Sequence, residues 1–209
     1  KEKKMKFEVI FVDDGSLDNS YNLISKFIKK YKTSNKIKFK IIKSKKNLGK
    51  GSALKLGVEK ATLDWILTTD IDMSVTLFQI KNWIKKNLIN NKSFVYFGTR
   101  SHKNSIVERN FLRKILGDVG SFLVSTILNI KIKDTQCGYK LYKKKYAKFV
   151  FSKLKNLGFD HDIELIMLLK SKNIRIEELP VKWKHKNNSK VNIFLDPFKM
   201  FIGILVFRF

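Results

Sequence analysis

The sequence predicts an α/β fold with a mainly parallel, doubly wound sheet and helices on both of its faces. Along the first hundred residues, short runs of β-forming residues alternate with segments whose apolar residues recur at helical spacing. Such alternation is typical of β–α–β units. Polar and acidic residues also follow directly after several of these runs, where parallel sheets bind their ligands.

The predicted elements follow from the spacing of apolar residues. In the first half, strands are expected at 7–12, 37–42, 65–69 and 94–98, and helices at 18–31, 52–61 and 76–88. In the second half, the predicted elements are a long helix at 106–130, a short strand or turn at 135–142, helices at 143–154 and 160–170, and a strand at 174–183. Pro180 lacks a backbone N–H, so this last strand is predicted at a sheet edge.

The chain is strongly basic. Its 209 residues include 44 Lys and Arg against 18 Asp and Glu, which gives a formal net charge of +26. Such a field favours nucleic acid, an anionic membrane surface or phosphorylated substrates. The sequence signatures of nucleic-acid readers do not occur, so nucleic acid is not an expected partner.

Cysteine content and hydropathy set two further limits. Cys137 is the single cysteine, which excludes an internal disulfide framework and fits a reducing compartment. We expect it to pack in the core. No run of 18 apolar residues occurs, so a transmembrane helix is not predicted. The apolar stretch at 200–207 can lie in a membrane interface or dock on the core.

An acidic turn follows the first predicted strand. Asp13, Asp14, Ser16 and Asp18 lie there, just before a predicted helix. Carboxylates and hydroxyls suit a base and a ribose better than phosphates, which carboxylates repel. The same residues also fit an Asx turn with a helix cap. By themselves they favour neither interpretation.

A loop with two glycines follows the second predicted strand. Asn47, Gly49, Lys50 and Gly51 lead into a helix N-terminus, where backbone N–H groups and the helix dipole favour anions. The spacing does not match a P-loop. The two glycines alone are weak evidence for a site.

Two carboxylates, Asp70 and Asp72, close the third predicted strand. Such a pair can share one Mg²⁺ or Mn²⁺, because hard cations take oxygen ligands and often keep a substrate phosphate in their shell. For an isolated pair, a solvated acidic turn is the simpler interpretation. The neighbouring motifs therefore decide the meaning of this one.

Taken in order, the three motifs resemble those of family 2 glycosyltransferases, which have the Rossmann-like GT-A fold. Later segments narrow the resemblance to the branch that transfers hexoses to polyprenyl or dolichyl phosphate, with the glucosyltransferases nearest. These segments are Gly98–His102, Arg109 with Arg113, Asp134–Tyr142, Asp162–Leu165 and Val181–Lys190. The stretch Asp134–Gly138 is the most specific of them.

The resemblance implies metal-assisted transfer of a hexose from a nucleotide-diphosphate sugar to polyprenyl or dolichyl phosphate. Glucose from UDP-glucose is favoured, with Mg²⁺ or Mn²⁺ as the cofactor. Direct displacement would invert an α-linked donor and give a β-linked product. Mannosyl or N-acetylhexosaminyl transfer and an inactive membrane-associated scaffold remain alternatives.

The resemblance also implies roles for single residues. Those contacting the nucleotide sugar would be Asp13, Asp14, Ser16, Asp18, Asn47, Lys50, Gly51 and Asp70, and the metal ligands would be Asp70 and Asp72. Those binding the acceptor phosphate would be Arg100, Arg113, Ser189 and Lys190. Those at the reaction centre would be Asp162, Arg100 and Gln136, and Glu164 would lie near that centre.

A domain organisation is implied as well. Residues 1–190 would form the GT-A domain, and 191–209 a C-terminal amphipathic segment at the membrane interface. The family's sheet has a further strand upstream of the one at 7–12, and that strand has no counterpart in this sequence, so we expect the sheet to lack it. The protein would act peripherally at the cytoplasmic face of a membrane, against its anionic surface.

Overall fold

The computed structural model of the protein describes residues 5–31, 36–90, 93–108, 126, 130–158 and 161–185. They belong to two compact units, the first made of residues 1–66 and 143–165 and the second of 67–142 and 166–209. The segment predicted at 191–209 and most of the helix predicted at 106–130 lie outside the described residues. The same holds for Arg113, Ser189 and Lys190.

The first unit begins with a β–α–β motif. Strand β1, Phe7–Asp13, pairs in parallel with β2, Ile37–Lys43. Helix α1, Ser20–Lys30, forms the crossover that a parallel pair requires. Asp13 lies opposite Lys43 in the register, so the loops after β1 and β2 leave the same edge of the pair.

Two further helices pack together in this unit. Helix α2, Lys50–Lys60, packs on β1 and on α4, Lys144–Lys153. The Lys144 ammonium donates to the carbonyl oxygen of Thr62 at 2.7 Å, so part of the lysine excess serves the packing of the fold. In the part of the chain that the structure describes, no helix is long and apolar enough to cross a membrane.

The second unit contains most of a four-stranded sheet in the order β3–β6–β4–β7. Its strands are β3 (Trp65–Thr68), β6 (Lys140–Lys143), β4 (Val95–Thr99) and β7 (Ile176–Pro180). Strand β4 is buried along its whole length and pairs antiparallel with β6 and parallel with β7. A separate parallel pair is formed by β5 (Ile106–Glu108) and β8 (Lys182–Lys184).

The core of the second unit surrounds Trp83 of α3, Gln79–Lys85. This side chain is fully buried, and its indole N–H donates to the carbonyl oxygen of Pro180 at 2.7 Å. Its ring meets that of Tyr139 edge-on, with centroids 5.2 Å apart. Cys137 belongs to the same cluster, so the segment before β6 is fixed in the core.

The α/β class, parallel pairing and most element positions are confirmed, with three differences. Residues 106–108 form a strand instead of beginning a helix, because the Ile106 N–H donates to the Val181 carbonyl at 3.0 Å beside the β5–β8 pair. The strand predicted at 174–183 divides after Pro180, which ends the edge strand β7. The sheet is mixed, since β6 runs antiparallel to β4.

Candidate functional site

Asp13, the last residue of β1, has a buried carboxylate of which one oxygen accepts a hydrogen bond within the described residues. The residue is 5% exposed, and its Oδ1 accepts the N–H of Ser16 at 3.0 Å. Its Oδ2 is buried and has no hydrogen-bond partner among the residues that the structure describes. Because a buried acceptor without a donor is costly, this oxygen suits a donor group of a ligand.

Asp14 fixes the loop after β2 to the loop after β1. Its two oxygens accept the backbone N–H of Leu48 at 3.2 Å and of Gly49 at 2.6 Å. Gly15, with φ +72°, permits the close approach, since a Cβ there would lie 2.7 Å from the carbonyl carbon of Lys46. Asp14 therefore organises the backbone of this half of the site.

Three other predicted residues border these loops. Asp18 accepts the N–H of Ser20 at 3.0 Å, as in an Asx turn, just before α1, whose N-cap residue is Asn19 and has no side-chain cap. Asn47 is exposed, and Lys50 is the half-buried first residue of α2. All three residues belong to the same unit as Asp13.

The glycines of the second motif are explained by packing. Gly49 has φ +100°, and a Cβ there would lie 2.5 Å from the carbonyl oxygen of Leu157. A Cβ on Gly51 would lie 2.9 Å from the Cβ of His161, and the Gly51 N–H donates to the Leu157 carbonyl at 2.9 Å. The start of α2 is thus packed against a neighbouring loop, and this amide is occupied by protein instead of an anion.

Glu164 holds that neighbouring loop in place from the first turn of α5, His161–Lys170. Its carboxylate accepts the N–H of Lys155 at 2.9 Å and of Asn156 at 2.7 Å. Glu164 thereby fixes the loop against which Gly49 and Gly51 pack.

Asp162 also lies in the first turn of α5 and is 5% exposed. Its Oδ1 lies 3.2 Å from Nε2 of His161, which is fully buried. Nδ1 of His161 lies 2.8 Å from the carbonyl oxygen of Gly158. The carboxylate predicted at the reaction centre is therefore the buried neighbour of a buried histidine.

In the second unit, β3 ends at the turn that carries the two predicted metal ligands. Asp72 is exposed, and its two oxygens accept the N–H of Ser74 at 2.8 Å and the hydroxyl of the same residue at 2.9 Å. Met73 has φ +54°, and its N–H donates to the Asp70 carbonyl at 3.3 Å. The tight turn places both carboxylates at the end of one strand.

The Asp70 carboxylate lies directly against Gly138. A Cβ at position 138 would lie 2.3 Å from Oδ2 of Asp70, which no side chain permits. The hydroxyl of Thr68 donates to the Gly138 carbonyl at 3.3 Å and joins the end of β3 to the same turn. The glycine thus forms a cradle for this carboxylate.

Asp70 and Asp72 fit a divalent cation by their donor chemistry. Carboxylate oxygens are the ligands that Mg²⁺ and Mn²⁺ take, and two carboxylates leave coordination positions for further oxygens. Within the described ranges, no group of three or more His, Cys, Asp or Glu side chains forms a cation site. A cation held by Asp70 and Asp72 would complete its shell with water or ligand oxygens.

Arg100, directly after β4, forms a two-point pair with Asp134. Its Nε and Nη2 donate to the two oxygens of Asp134 at 2.8 and 2.7 Å, and its backbone N–H donates to the same carboxylate at 2.8 Å. The guanidinium carbon also lies 5.7 Å from the ring centroid of Trp183. Asp134 is only 2% exposed. Burial acts to raise the pKa of Asp134, but the charge and hydrogen bonds of Arg100 outweigh it and hold that pKa below its ordinary value.

The turn after Asp134 has an exposed and a buried member. Gln136, predicted to face the donor sugar, is exposed, and its N–H donates to Asp134 at 3.3 Å. Cys137 is buried, and burial raises the pKa of its thiol to about 12. The cysteine therefore packs in the core, as predicted, and is not a thiolate.

The predicted site residues divide between the two units. The first contains Asp13, Asp14, Ser16, Asp18, Asn47, Lys50, Gly51 and Asp162, and the second contains Asp70, Asp72, Arg100 and Gln136. Sequence reasoning assigned no separate role to Asp134 and Gly138 and placed Glu164 near the reaction centre. All three lie in the motifs used for the resemblance, which was the available signal.

Carboxylates at the ends of the strands of an α/β fold are an arrangement suited to a nucleotide and a cation. Residues 1–151 match the model of the family described as Glycosyl transferase family 2. Since the match covers more than half of the chain, the protein belongs to glycosyltransferase family 2.

Within the family, the chain is similar to dolichyl-phosphate β-glucosyltransferases. It is 33% identical over 215 residues to the one from Dictyostelium discoideum, covering 100% of this chain and 64% of that protein. It is 32% identical over 209 residues to the one from Homo sapiens, covering 97% of this chain and 63% of that protein. The chain thus spans slightly less than two thirds of these relatives.

Solved structures of glycosyltransferases share the fold. Glucosyl-3-phosphoglycerate synthase from Mycobacterium tuberculosis, in complex with Mn²⁺ and UDP-glucose, is similar with a TM-score of 0.63 and 12% identity over 98% of this chain and 79% of that one. A mannosyltransferase from Pyrobaculum calidifontis, in complex with GDP-mannose and Mn²⁺, is similar with a TM-score of 0.56 and 16% identity. The match covers 88% of this chain and 48% of that one. These likenesses establish the GT-A fold.

Proposed function

We propose that the full-length protein transfers glucose from UDP-glucose to dolichyl phosphate or a related polyprenyl phosphate and yields a β-linked lipid-phosphate glucose. One observation carries this proposal. The similarity to dolichyl-phosphate β-glucosyltransferases at 33% and 32% identity extends over 100% and 97% of the chain, and therefore includes every motif of the site.

The acceptor supplies its own nucleophile. A phosphate monoester has a second pKa of about 6 and is largely dianionic at neutral pH. Its oxygen can attack the anomeric carbon without a general base, and direct displacement of an α-linked nucleotide gives the β product. A buried Asp162 beside His161 agrees with this chemistry, because no carboxylate is required to remove a proton. We assign Asp162 to bracing the first unit.

The donor nucleotide is assigned to the loops after β1 and β2. The buried Oδ2 of Asp13 offers an acceptor to an N–H of the base or an O–H of the ribose. Asp14 keeps the second loop beside it, and we propose that Ser16, Asn47 and Lys50, in or next to these loops, contact the nucleotide sugar. Gly51 contributes by letting α2 pack closely.

The cation and the acceptor phosphate are assigned to the second unit. Asp70 and Asp72 would hold Mg²⁺ or Mn²⁺, which offsets the charge that develops on the departing diphosphate. Arg100 would bind the acceptor phosphate, because a guanidinium has five N–H donors in one plane, of which the bonds to Asp134 use one on Nε and one on Nη2. Arg113, Ser189 and Lys190 are proposed for the same task, and Gln136 for the donor sugar.

The net charge of +26 supports a place of action at an anionic membrane surface. We propose peripheral attachment at the cytoplasmic face, with the segment at 191–209 in the interface.

The test is an incubation of the full-length protein with dolichyl phosphate, Mg²⁺ or Mn²⁺, and in turn UDP-glucose, GDP-mannose and UDP-N-acetylglucosamine. We expect a lipid-linked sugar from UDP-glucose alone, with a β anomeric proton by NMR. Transfer from GDP-mannose or UDP-N-acetylglucosamine would show that the transferred sugar is not glucose. The proposal would be overturned if none of the donors yields a lipid-linked sugar.

A further inference from the structure

The buried carboxylate of Asp134 accepts hydrogen bonds from Arg100 and from the turn that follows Asp134. Asp134 accepts three N–H groups from Arg100, and its Oδ1 also accepts the N–H of Gln136 at 3.3 Å and of Cys137 at 3.2 Å. Both oxygens are used, and the residue is 2% exposed. A carboxylate with this many donors is locked in one orientation and fixes the groups that point at it.

Asp134 is itself held from behind. Glu178 of β7 accepts the N–H of Lys133 and of Asp134, each at 3.1 Å. Lys140 is 1% exposed and donates to the carbonyl of Thr135 at 3.1 Å, which brings a second buried cation near the carboxylate. The negative charge is thus compensated by Arg100 and by Lys140, whose charge also acts to lower the pKa of Asp134.

The guanidinium of Arg100 is held on two sides. Asp134 accepts hydrogen bonds from its Nε and Nη2. The ring of Trp183 lies against its face, with the ring centroid 5.7 Å from the guanidinium carbon. Trp183 is fixed in turn by its bridge to Val75 and by pairing in β8. A long side chain that would otherwise sample many rotamers is therefore held in one, so a ligand need not order it.

We propose that Asp134 is a positioning residue that orients Arg100 for the acceptor phosphate. The inference rests on the proposed function. Asp134 does not touch substrate in this scheme; it acts through the planar guanidinium, and Trp183 supports the same orientation. Removing Asp134 should therefore weaken use of the acceptor and leave use of the donor nearly unchanged.

The test uses Asp134→Asn in the full-length protein. This change keeps the size of the side chain but turns one acceptor oxygen into a donor that opposes an N–H of Arg100. We expect the KM for dolichyl phosphate to rise by up to about 100-fold, because a misplaced positioning group can cost that much, with the KM for UDP-glucose nearly unchanged. Binding of farnesyl phosphate, measured by calorimetry, should weaken by the same factor.

Glu8→Gln is the matched control, because that carboxylate accepts the Lys40 ammonium at 2.6 Å and the Thr62 N–H at 2.8 Å in the first unit and belongs to no hydrogen bond of Arg100 or Asp134. We expect it to lower the melting temperature without raising the KM for dolichyl phosphate. If Asp134→Asn is too unstable to assay, Trp183→Leu takes its place and should also raise the acceptor KM selectively.

A double variant separates positioning from general support. In the Arg100→Lys background, Asp134→Asn should raise the KM for dolichyl phosphate by less than a further ~3-fold, because the two substitutions disrupt the same interaction. An unchanged acceptor KM in Asp134→Asn, additive losses, or equal increases in both KM values would overturn the inference. A wild-type protein that makes no lipid-linked sugar and binds no farnesyl phosphate would instead refute the proposed function.

Discussion

The carboxylate of Asp70 lies against the Cα of Gly138, so closely that a Cβ there would be 2.3 Å from Oδ2. Two residues far apart in sequence thus define one wall of the proposed cation site. Gly138 does not have a positive φ, so its backbone conformation does not require a glycine. The glycine is needed because the missing Cβ makes room for the carboxylate.

Gly138→Ala should displace Asp70. A side-chain shift of about 1 Å in a catalytic site can reduce activity on the order of 100-fold, so we expect a loss of that size in kcat/KM for glucosyl transfer. Metal-dependent binding of UDP-glucose, followed by calorimetry, should weaken in parallel. The control is Gly57→Ala in α2 of the first unit, whose Cβ would meet Val12 Cγ2 at 3.2 Å and no atom of Asp70 or Asp72. Equal donor affinity in the Gly138 variant and the wild type would contradict the assignment.

Asp70→Asn and Asp72→Asn should each reduce the affinity for Mn²⁺ in the presence of UDP, because each removes a charged oxygen ligand. A loss of at least about tenfold is expected for each, measured by calorimetry with the folded protein. Asp64→Asn serves as the control, since Asp64 is exposed in the loop before β3. If both variants retain full Mn²⁺ affinity, the assignment of the cation site to Asp70 and Asp72 is wrong.

Gly49→Ala should destabilise the protein. The residue has φ +100°, and its new Cβ would lie 2.5 Å from the Leu157 carbonyl oxygen. Residues forced into such backbone conformations cost about 1–3 kcal/mol, and the contact adds to this. Urea unfolding would measure the loss, with Gly57→Ala as the helical glycine for comparison. A midpoint equal to that of the wild type would show that the loop at 156–158 yields without cost.

Cys137 should resist alkylation in the native state. Burial raises the pKa of the thiol to about 12, so almost no thiolate exists at pH 8. Iodoacetamide should label the native protein far more slowly than the urea-unfolded protein, as followed by mass spectrometry. Equally fast labelling of both states would show that the segment between Asp134 and β6 opens readily.

The Arg100–Asp134 pair should make the protein sensitive to acid. Because the folded state holds the pKa of Asp134 below its ordinary value of 3.8, the carboxylate contributes stability above that pH. This contribution is lost as the pH falls below about 4 through the lower folded-state pKa. The melting temperature of Asp134→Asn should therefore approach that of the wild type as the pH is lowered through this window. A constant difference across it would count against the charge effect.

Local patterns were sufficient for much of the fold. The apolar spacing predicted α1 and α5 to within two or three residues, and the β-forming runs predicted β1, β2 and β4. The failures arose where a segment's partner lies far along the chain. Residues 106–108 form a strand because β8 pairs with them, and no local pattern near position 106 contains that information.

For the site, the sequence by itself determined which residue types follow each strand, because a motif and its order along the chain are local properties. It thereby gave the family and the candidates Asp13, Asp70 and Arg100. The tertiary structure decided how those groups are used. Among the residues that the structure describes, one oxygen of Asp13 has no hydrogen-bond partner, Gly138 lies against Asp70, and Arg100 is paired with Asp134. These relationships depend on distances between residues up to 68 positions apart, counted from 70 to 138, which only the packed chain defines.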